Sequence, residues 1–162
     1  MRFTICFLSL LLFTAQSLSC DTEPYQQFDF WVGEWEVTTP DGTLAGQNSV
    51  TKAESGCLII EQWTGAQGGT GQSYNFYNPD TKTWRQLWVN RGAIIDYTGG
   101  LVDGAMLLEG EVINQTTGKS LPFRGTWTPL PNGDVEQKLD QWDRESNAWV
   151  NGFTGIYRKK EP

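Results

Sequence analysis

Short segments rich in Trp, Val, Ile, Thr and Tyr recur along the chain after residue 25. None of them repeats its apolar positions with the roughly 3.6-residue period of a helix. They alternate with clusters of Pro, Asn, Asp and Gly, which are the residues that tight chain reversals require. The clusters stand at 39–42, 78–82, 102–104, 131–133 and 143–147. Strand-like segments between turn signals indicate β-hairpins, so the pattern predicts an all-β protein.

The segments between the turns predict about ten strands, and almost all of them are neighbours in sequence. Consecutive antiparallel strands joined by short turns form an up-and-down meander, which protects its edges best by closing into a barrel. We therefore predict a single antiparallel up-and-down β-barrel. A sandwich of two sheets is the alternative, because periodicity alone does not show closure. The predicted strands lie at 30–39, 43–54, 58–66, 71–78, 84–90, 94–102, 105–113, 121–130, 135–142 and 149–160.

Residues 1–19 differ in composition from the rest of the chain. They contain one basic residue, Arg2, followed by an apolar run and an end rich in small residues. This pattern is typical of a secretory signal peptide. The apolar run is shorter than the roughly 20 residues that a membrane-spanning helix needs, and no span is expected. We expect a linker at 20–27 and one barrel domain at 28–162, in a periplasmic or secreted protein.

Two cysteines remain once the signal peptide is removed, Cys20 and Cys57. The sequence Ser-Leu-Ser-Cys at 17–20, which spans the predicted cleavage point, is similar to a bacterial lipobox, in which Cys20 becomes the lipidated first residue. Ser17 stands where that motif prefers Leu or Val, so a lipid tether at Cys20 is left open. Cys57 is interpreted as a buried small apolar residue. A Cys20–Cys57 disulfide is the less favoured alternative.

Charge and composition narrow the range of functions. The formal charge of the chain is −7 at neutral pH, which repels phosphate backbones, so nucleic acid is not an expected partner. The chain contains no histidine. This excludes Ser-His-Asp and Cys-His catalysis and the usual zinc sites. We expect a binding protein without a cofactor or a metal, rather than an enzyme.

The segment FDFWVGEWEV at 28–37 contains the signature Gly33-Glu34-Trp35, and the chain ends in FTGIYRKK, which includes Arg158. Together they resemble the lipocalin and wider calycin pattern. In that superfamily a Trp of the first strand packs across the closed end of the barrel, under an Arg of the last strand. The resemblance extends over nearly all of 28–160, to a lipocalin-like family of bacterial exported proteins. It implies a fold more than a function, and a contact between Trp35 and Arg158.

Nitrobindin-type barrels are more distantly similar, and they hold haem through a proximal histidine. Since this chain has none, haem would need Met, Cys or Tyr as its axial ligand. Nothing singles out Met106, Cys57 or any tyrosine for that role. The resemblance therefore does not extend to haem.

Aromatic side chains are the chemistry that remains, with eight tryptophans in the chain. Side chains alternate between the two faces of a strand, so the segment WRQLWVN places Trp84, Gln86, Trp88 and Asn90 on one face. A ligand cavity needs this mixture, because apolar area gives affinity and a few polar groups orient the ligand.

The same alternation on neighbouring strands gives a candidate pocket for a small apolar or amphipathic ligand that the protein binds or carries. These side chains are expected to point into the barrel, and a solvated outer face is the alternative for each of them. The candidate residues are Trp88, Gln86, Trp63, Glu61, Arg124, Gln137 and Gln141.

Two other functions stay open. One is a carbohydrate-binding protein or a glycoside-active enzyme, in which Trp rings stack on sugars and two carboxylates act as acid and base. The pairs Glu34/Glu36 and Glu109/Glu111 each share a strand face, where a solvated outer surface is favoured. The other is a barrel filled by its own side chains and used as an interaction surface.

Overall fold

Ten antiparallel strands form one closed barrel in the computed structural model, which describes residues 20–160. Each strand pairs with its neighbours in sequence, and the first pairs with the last. The prediction of an up-and-down barrel is confirmed, and the predicted signal peptide lies outside the described residues. No helix in the described part of the chain is long and apolar enough to cross a bilayer. The elements are α1 Glu23–Gln26, β1 Gly33–Thr38, β2 Leu44–Ala53, β3 Leu58–Gly65, β4 Thr70–Asn78, β5 Thr83–Asn90, β6 Ala93–Val102, β7 Ala105–Asn114, β8 Ser120–Pro129, β9 Val135–Asp143 and β10 Ala148–Lys159.

The turns lie where the clusters of Pro, Asn, Asp and Gly predict them. Asp103 and Gly104 have positive φ angles of 50° and 83° and join β6 to β7. A turn of this kind matches the right-handed twist of the two strands. β1 begins at Gly33 rather than at residue 30, because Asp29–Trp31 forms a 3-10 turn. The first aromatic residues of the predicted strand therefore belong to the segment before the barrel.

Residues 20–31 cross one end of the barrel, which we call the capped end. Phe28 and Trp31 are fully buried there, and their rings stack with centroids 4.9 Å apart. The Nε1 of Trp84 donates a hydrogen bond to the carbonyl of Pro24 at 3.1 Å. Aromatic rings therefore fill this end of the barrel. The linker expected at the start of the segment is part of the folded structure.

Trp35 lies at the capped end and is fully buried. Its Nε1 donates to the carbonyl of Trp31 at 2.9 Å, and the Nζ of Lys159 lies 5.4 Å from its ring centroid. The resemblance implies Arg158 in that place, and this expectation is wrong by one residue. Trp35 is paired with Lys159, whereas Arg158 is paired with Glu36. Since side chains alternate between faces, Lys159 shares the inner face with Trp35 and Arg158 lies outside.

A disulfide joins Cys20 to Cys57, whose Cα atoms are 4.8 Å apart. The backbone N–H of Cys20 also donates to the carbonyl of Ser55 at 3.0 Å. The segment 20–31, which we call the cap, is therefore attached to the connection between β2 and β3. The interpretation of Cys57 as an unpaired buried residue is wrong, and the less favoured alternative is the one observed. Because the Sγ of Cys20 lies in the disulfide, it is not free to carry a lipid.

Candidate functional site

Inward-facing side chains form three layers along the barrel axis. On β5, Trp84 lies at the capped end, Gln86 in the middle, and Trp88 and Asn90 towards the opposite end. Trp84 and Gln86 are each 2% exposed, whereas Val89 on the other face is 45% exposed. The predicted faces of this strand are therefore confirmed. The aromatic layer fills the capped end, and the polar middle layer becomes the floor of the space beyond it.

A cavity of about 290 Å³ occupies the half of the barrel opposite the cap. This volume is at the lower end of the range for small-molecule pockets, and it corresponds to about ten water-sized groups. The walls of the cavity are mainly apolar, and its floor is polar. The walls are formed by Trp63, Trp88, Ile95, Leu139 and Phe153 with Asn90, and the floor by Glu61, Gln86, Tyr97, Gln137 and Tyr157.

Two glycines allow the indole rings of the wall to lie close to the neighbouring strands. A Cβ atom at Gly71 would lie 2.2 Å from the ring of Trp88, and one at Gly46 would lie 2.7 Å from the ring of Trp63. Both distances are shorter than real Cβ contacts. A side chain at Gly71 would therefore push the Trp88 indole towards the cavity, whereas one at Gly46 would clash with the Trp63 indole and with the carbonyl oxygen of Thr64, 2.5 Å away.

Glu61 is held on the floor by hydrogen bonds from the two adjacent strands. The Nδ2 of Asn48 on β2 donates to Oε1 at 2.8 Å, and the Oγ of Ser73 on β4 donates to Oε2 at 2.6 Å. The network continues to Asn75, whose Nδ2 donates to the Oγ of Ser73 at 2.9 Å. The register brings these groups together, since Glu61 and Ser73 are directly opposite each other.

Two tyrosines complete the floor on the other side of the barrel. The hydroxyl of Tyr97 donates to Oε1 of Gln86 at 2.6 Å, and the side-chain amide of Gln86 donates to Oδ1 of Asn75. The hydroxyl of Tyr157 donates to Oε1 of Gln137 at 2.8 Å. Buried polar groups are stable when they are hydrogen-bonded in this way. The floor is therefore a fixed polar surface beneath apolar walls.

Glu61 is the one carboxylate among the described residues that lines the cavity, and it is 4% exposed. Burial raises the pKa of its carboxyl to about 7, against the lowering effect of the hydrogen bonds from Ser73 and Asn48. None of the ion pairs in the part of the chain that the structure describes includes it. Burial, and then the charge of Glu61, raise the pKa of Tyr97 and of Tyr157, so both stay neutral. The floor thus holds one group that changes charge near neutral pH.

Glu61→Gln is expected to stabilise the protein at about pH 8 but not at about pH 4. The folded state holds the proton of Glu61 more tightly than its ordinary pKa of 4.5 implies. The free energy of unfolding of the wild type therefore falls as the pH rises from about 4.5 to about 7. The variant lacks this titration, so it should be more stable than the wild type by on the order of 2–3 kcal/mol at the higher pH.

Urea denaturation of both proteins at the two pH values measures this difference. Glu109→Gln is the matched control, because Glu109 is an exposed carboxylate on β7. A gain of Glu61→Gln over wild type that is the same at both pH values would contradict the raised pKa of Glu61.

The structure brings five of the seven candidate residues to the cavity. Arg124 lies on the outer face instead, where its Nε is 2.8 Å from Oδ2 of Asp140 and its guanidinium is 4.6 Å from the ring centroid of Trp149. Alternation puts Arg124 on the face opposite the buried Trp127. Gln141 is exposed near the end of β9, where the strand continues beyond the cavity. The five that line the cavity are Glu61, Trp63, Gln86, Trp88 and Gln137.

Several residues of the floor and of the hydrogen-bond network behind it are not among the candidates predicted from the sequence. The alternation of strand faces could have identified two of them. Tyr97 lies two residues after the inward-facing Ile95, and Asn48 lies two residues before the buried Val50. A polar or aromatic residue in phase with buried apolar ones is a candidate for an inward position. The residues outside the predicted set are Asn48, Ser73, Asn75, Tyr97 and Tyr157.

The paired carboxylates of the glycosidase hypothesis lie outside the barrel. Glu34 and Glu36 are exposed on β1, and Glu109 and Glu111 are exposed on β7. Glycoside hydrolysis requires two carboxyl groups that face each other across the substrate. Among the described residues, only Glu61 supplies a carboxylate to the cavity.

Neither a protein-family model nor a curated protein sequence matches the chain. The resemblance to lipocalin-like exported proteins therefore stays a prediction. Evidence for function comes from the site itself, since one barrel fold can serve many functions.

Proposed function

We propose that the protein binds or carries a small, partly apolar molecule in the barrel cavity and does not catalyse a reaction. The observation that carries this proposal is a cavity of about 290 Å³ whose aromatic walls meet a polar floor. Apolar walls give affinity, and a few fixed polar groups orient the ligand. The hydrogen bonds within the floor hold those groups in place before a ligand arrives, which lowers the entropic cost of binding.

The packing around the cavity supports a binding role over a barrel filled by its own side chains. Because Gly46 and Gly71 have no side chains, the indoles of Trp63 and Trp88 lie close to the neighbouring strands. The space in the middle of the barrel therefore stays open. The buried carboxylate of Glu61 also costs stability, because the described residues offer it no cationic partner. Ionisable groups with strongly shifted pKa values are typical of functional sites.

Carbohydrate binding is the second candidate, and its aromatic platform is on the outside of β9 and β10. Trp142 and Trp149 contact each other edge to face, with centroids 5.4 Å apart. The guanidinium of Arg124 lies over the ring of Trp149. It occupies a face on which a sugar would stack, so the geometry favours the cavity as the binding site.

We also propose that the protein works outside the cytoplasm, in the periplasm or as a secreted protein. The Cys20–Cys57 disulfide supports this location, because disulfides form and persist in oxidising compartments. Fractionation of the host cell, with detection of the protein outside the cytoplasmic fraction, tests the location.

Calorimetric titration with phenylbutanol, a neutral probe with an apolar ring and one hydroxyl, tests the cavity. The wild type should bind one equivalent. Gly71→Ala should bind at least about tenfold more weakly, because the added Cβ displaces Trp88 into the cavity. Gly100→Ala is the matched control, since a Cβ there meets no atom within 4 Å.

Equal affinities in wild type and Gly71→Ala, with both proteins folded cooperatively, would show that the probe binds elsewhere. Native mass spectrometry of protein purified from its host shows whether a small molecule co-purifies. A tryptophan fluorescence titration with oligosaccharides tests the second candidate in the same preparation.

A further inference from the structure

We propose that the ligand carries a protonated nitrogen and that Glu61 is its counter-ion. This inference rests on the proposed function, because it concerns the ligand of the same cavity. The apolar part of the ligand contacts Trp63, Trp88 and Phe153, and the cationic part reaches the floor.

Glu61 presents a buried carboxylate that can accept further hydrogen bonds. Its side chain lines the cavity, and each of its oxygens accepts one hydrogen bond from a neutral side chain, Asn48 or Ser73. A carboxylate has about four acceptor positions, so about two are left. No lysine or arginine of residues 20–160 forms an ion pair with it. A ligand cation supplies the partner that these residues do not.

Asn48 lies behind Glu61, outside the cavity lining, and is a buried neighbour of its carboxylate. Its side chain is 1% exposed, and its Oδ1 has no hydrogen-bond partner among the residues that the structure describes. Its Nδ2 is already bound to Glu61. Buried polar atoms are nearly always hydrogen-bonded, so an acceptor without a partner requires an explanation. The open acceptor positions of Glu61 face the cavity side of this network, and an ammonium group brings up to three N–H donors to them.

The charges around the floor discriminate against an anionic ligand. A carboxylate or phosphate near Glu61 would place two negative charges together in a buried site, which is unfavourable. The formal charge of −7 on the chain also attracts cations and repels anions over a longer range. None of the described side chains that line the cavity is cationic, and the two tyrosines are neutral. The side chains that face Glu61 are Asn48, Ser73, Gln86, Tyr97, Gln137 and Tyr157.

Binding of a cation is expected to strengthen between about pH 5 and about pH 8. Burial raises the pKa of Glu61 to about 7 in the free protein. At the lower pH the carboxyl must lose its proton before it pairs with the cation, which weakens the apparent affinity. A neutral ligand with the same apolar body lacks this dependence.

Three probes that share a phenylbutyl body test the inference: phenylbutylamine, phenylbutanol and phenylbutanoate. Calorimetry at about pH 8 should show the amine binding at least about tenfold more tightly than the alcohol, with the acid binding most weakly. The affinity of the wild type for the amine should fall about tenfold at about pH 5. In Glu61→Gln the ratio of amine to alcohol affinity should fall to about one, whereas the exposed control Glu109→Gln should keep the wild-type ratio.

The outcomes separate this inference from the proposed function. Equal affinities for amine and alcohol, both weakened by Gly71→Ala, would leave the binding role in place and overturn the cationic ligand. An amine preference that persists in Glu61→Gln would overturn it as well, because the preference would come from another group. A wild type that binds none of the three probes overturns both. Cooperative thermal unfolding of each variant shows that the comparison concerns folded protein.

Discussion

Trp35→Ala is expected to lower the free energy of unfolding by roughly 3–5 kcal/mol, the usual cost of truncating a large buried aromatic side chain. The ring is fully buried, and its centroid lies 6.1 Å from that of Tyr157. Its indole N–H also satisfies the carbonyl of Trp31. Removal leaves a void at the capped end with an unpaired carbonyl beside it. Urea denaturation followed by circular dichroism measures the loss.

Trp142→Ala is the matched control, because Trp142 lies on the outer face of β9 and is partly exposed. It loses one edge-to-face contact with Trp149, so its cost should be about 1 kcal/mol. A cost of Trp35→Ala no larger than that of the control would show that the Trp35 ring does not belong to the core.

The strand order could be predicted from the sequence because each hairpin carries its own turn residues. Asp103-Gly104 and the Pro-Asn-Gly of 131–133 are local signals that need no knowledge of the rest of the fold. Closure was the favoured outcome because ten consecutive strands leave no exposed edge only in a barrel. The faces of β5 could be predicted as well, since large rings and amides alternate there with Arg85 and Val89.

For other strands, the face that points into the barrel could not be predicted from the sequence alone. Arg158 and Lys159 are adjacent, and either could cover Trp35 until the register between β1 and β10 is known. Arg124 presents the same ambiguity. Period-two alternation shows which residues share a face of the strand, whereas the closed sheet decides which face points inward.

The polar floor was only partly predictable, because buried amides resemble the solvated face of a strand. Glu61 could be identified by its alternation with Trp63. Asn48 follows Gly46 by two residues, and a Cβ at that glycine would meet the carbonyl oxygen of Thr64 and the indole of Trp63 on the next strand. The hydrogen bonds of the floor join different strands. The network therefore depends on tertiary structure, which one strand does not encode.

Cys57→Ser is expected to lower the free energy of unfolding by about 3–4 kcal/mol, because the unfolded chain gains conformational entropy when the cross-link is removed. The disulfide joins residues that are 37 positions apart, and a cross-link over a loop of that length removes chain entropy from the unfolded protein. The loop contains the cap, so the bond also keeps Phe28 and Trp31 close to the end of the barrel. Urea denaturation of the oxidised wild type and the variant measures the loss.

Cys20→Ser is the matched control, because it removes the same bond from the other side and should give the same loss. The double variant should lose no more than either single variant, since the two positions act as one bond. If Cys20 carried a lipid and Cys57 were a free thiol, Cys57→Ser would cost little and the two losses would differ. Both single variants should bind phenylbutanol with wild-type affinity, because the disulfide lies at the capped end and the cavity in the opposite half. A parallel loss of affinity would mean that the cap also controls the shape of the cavity.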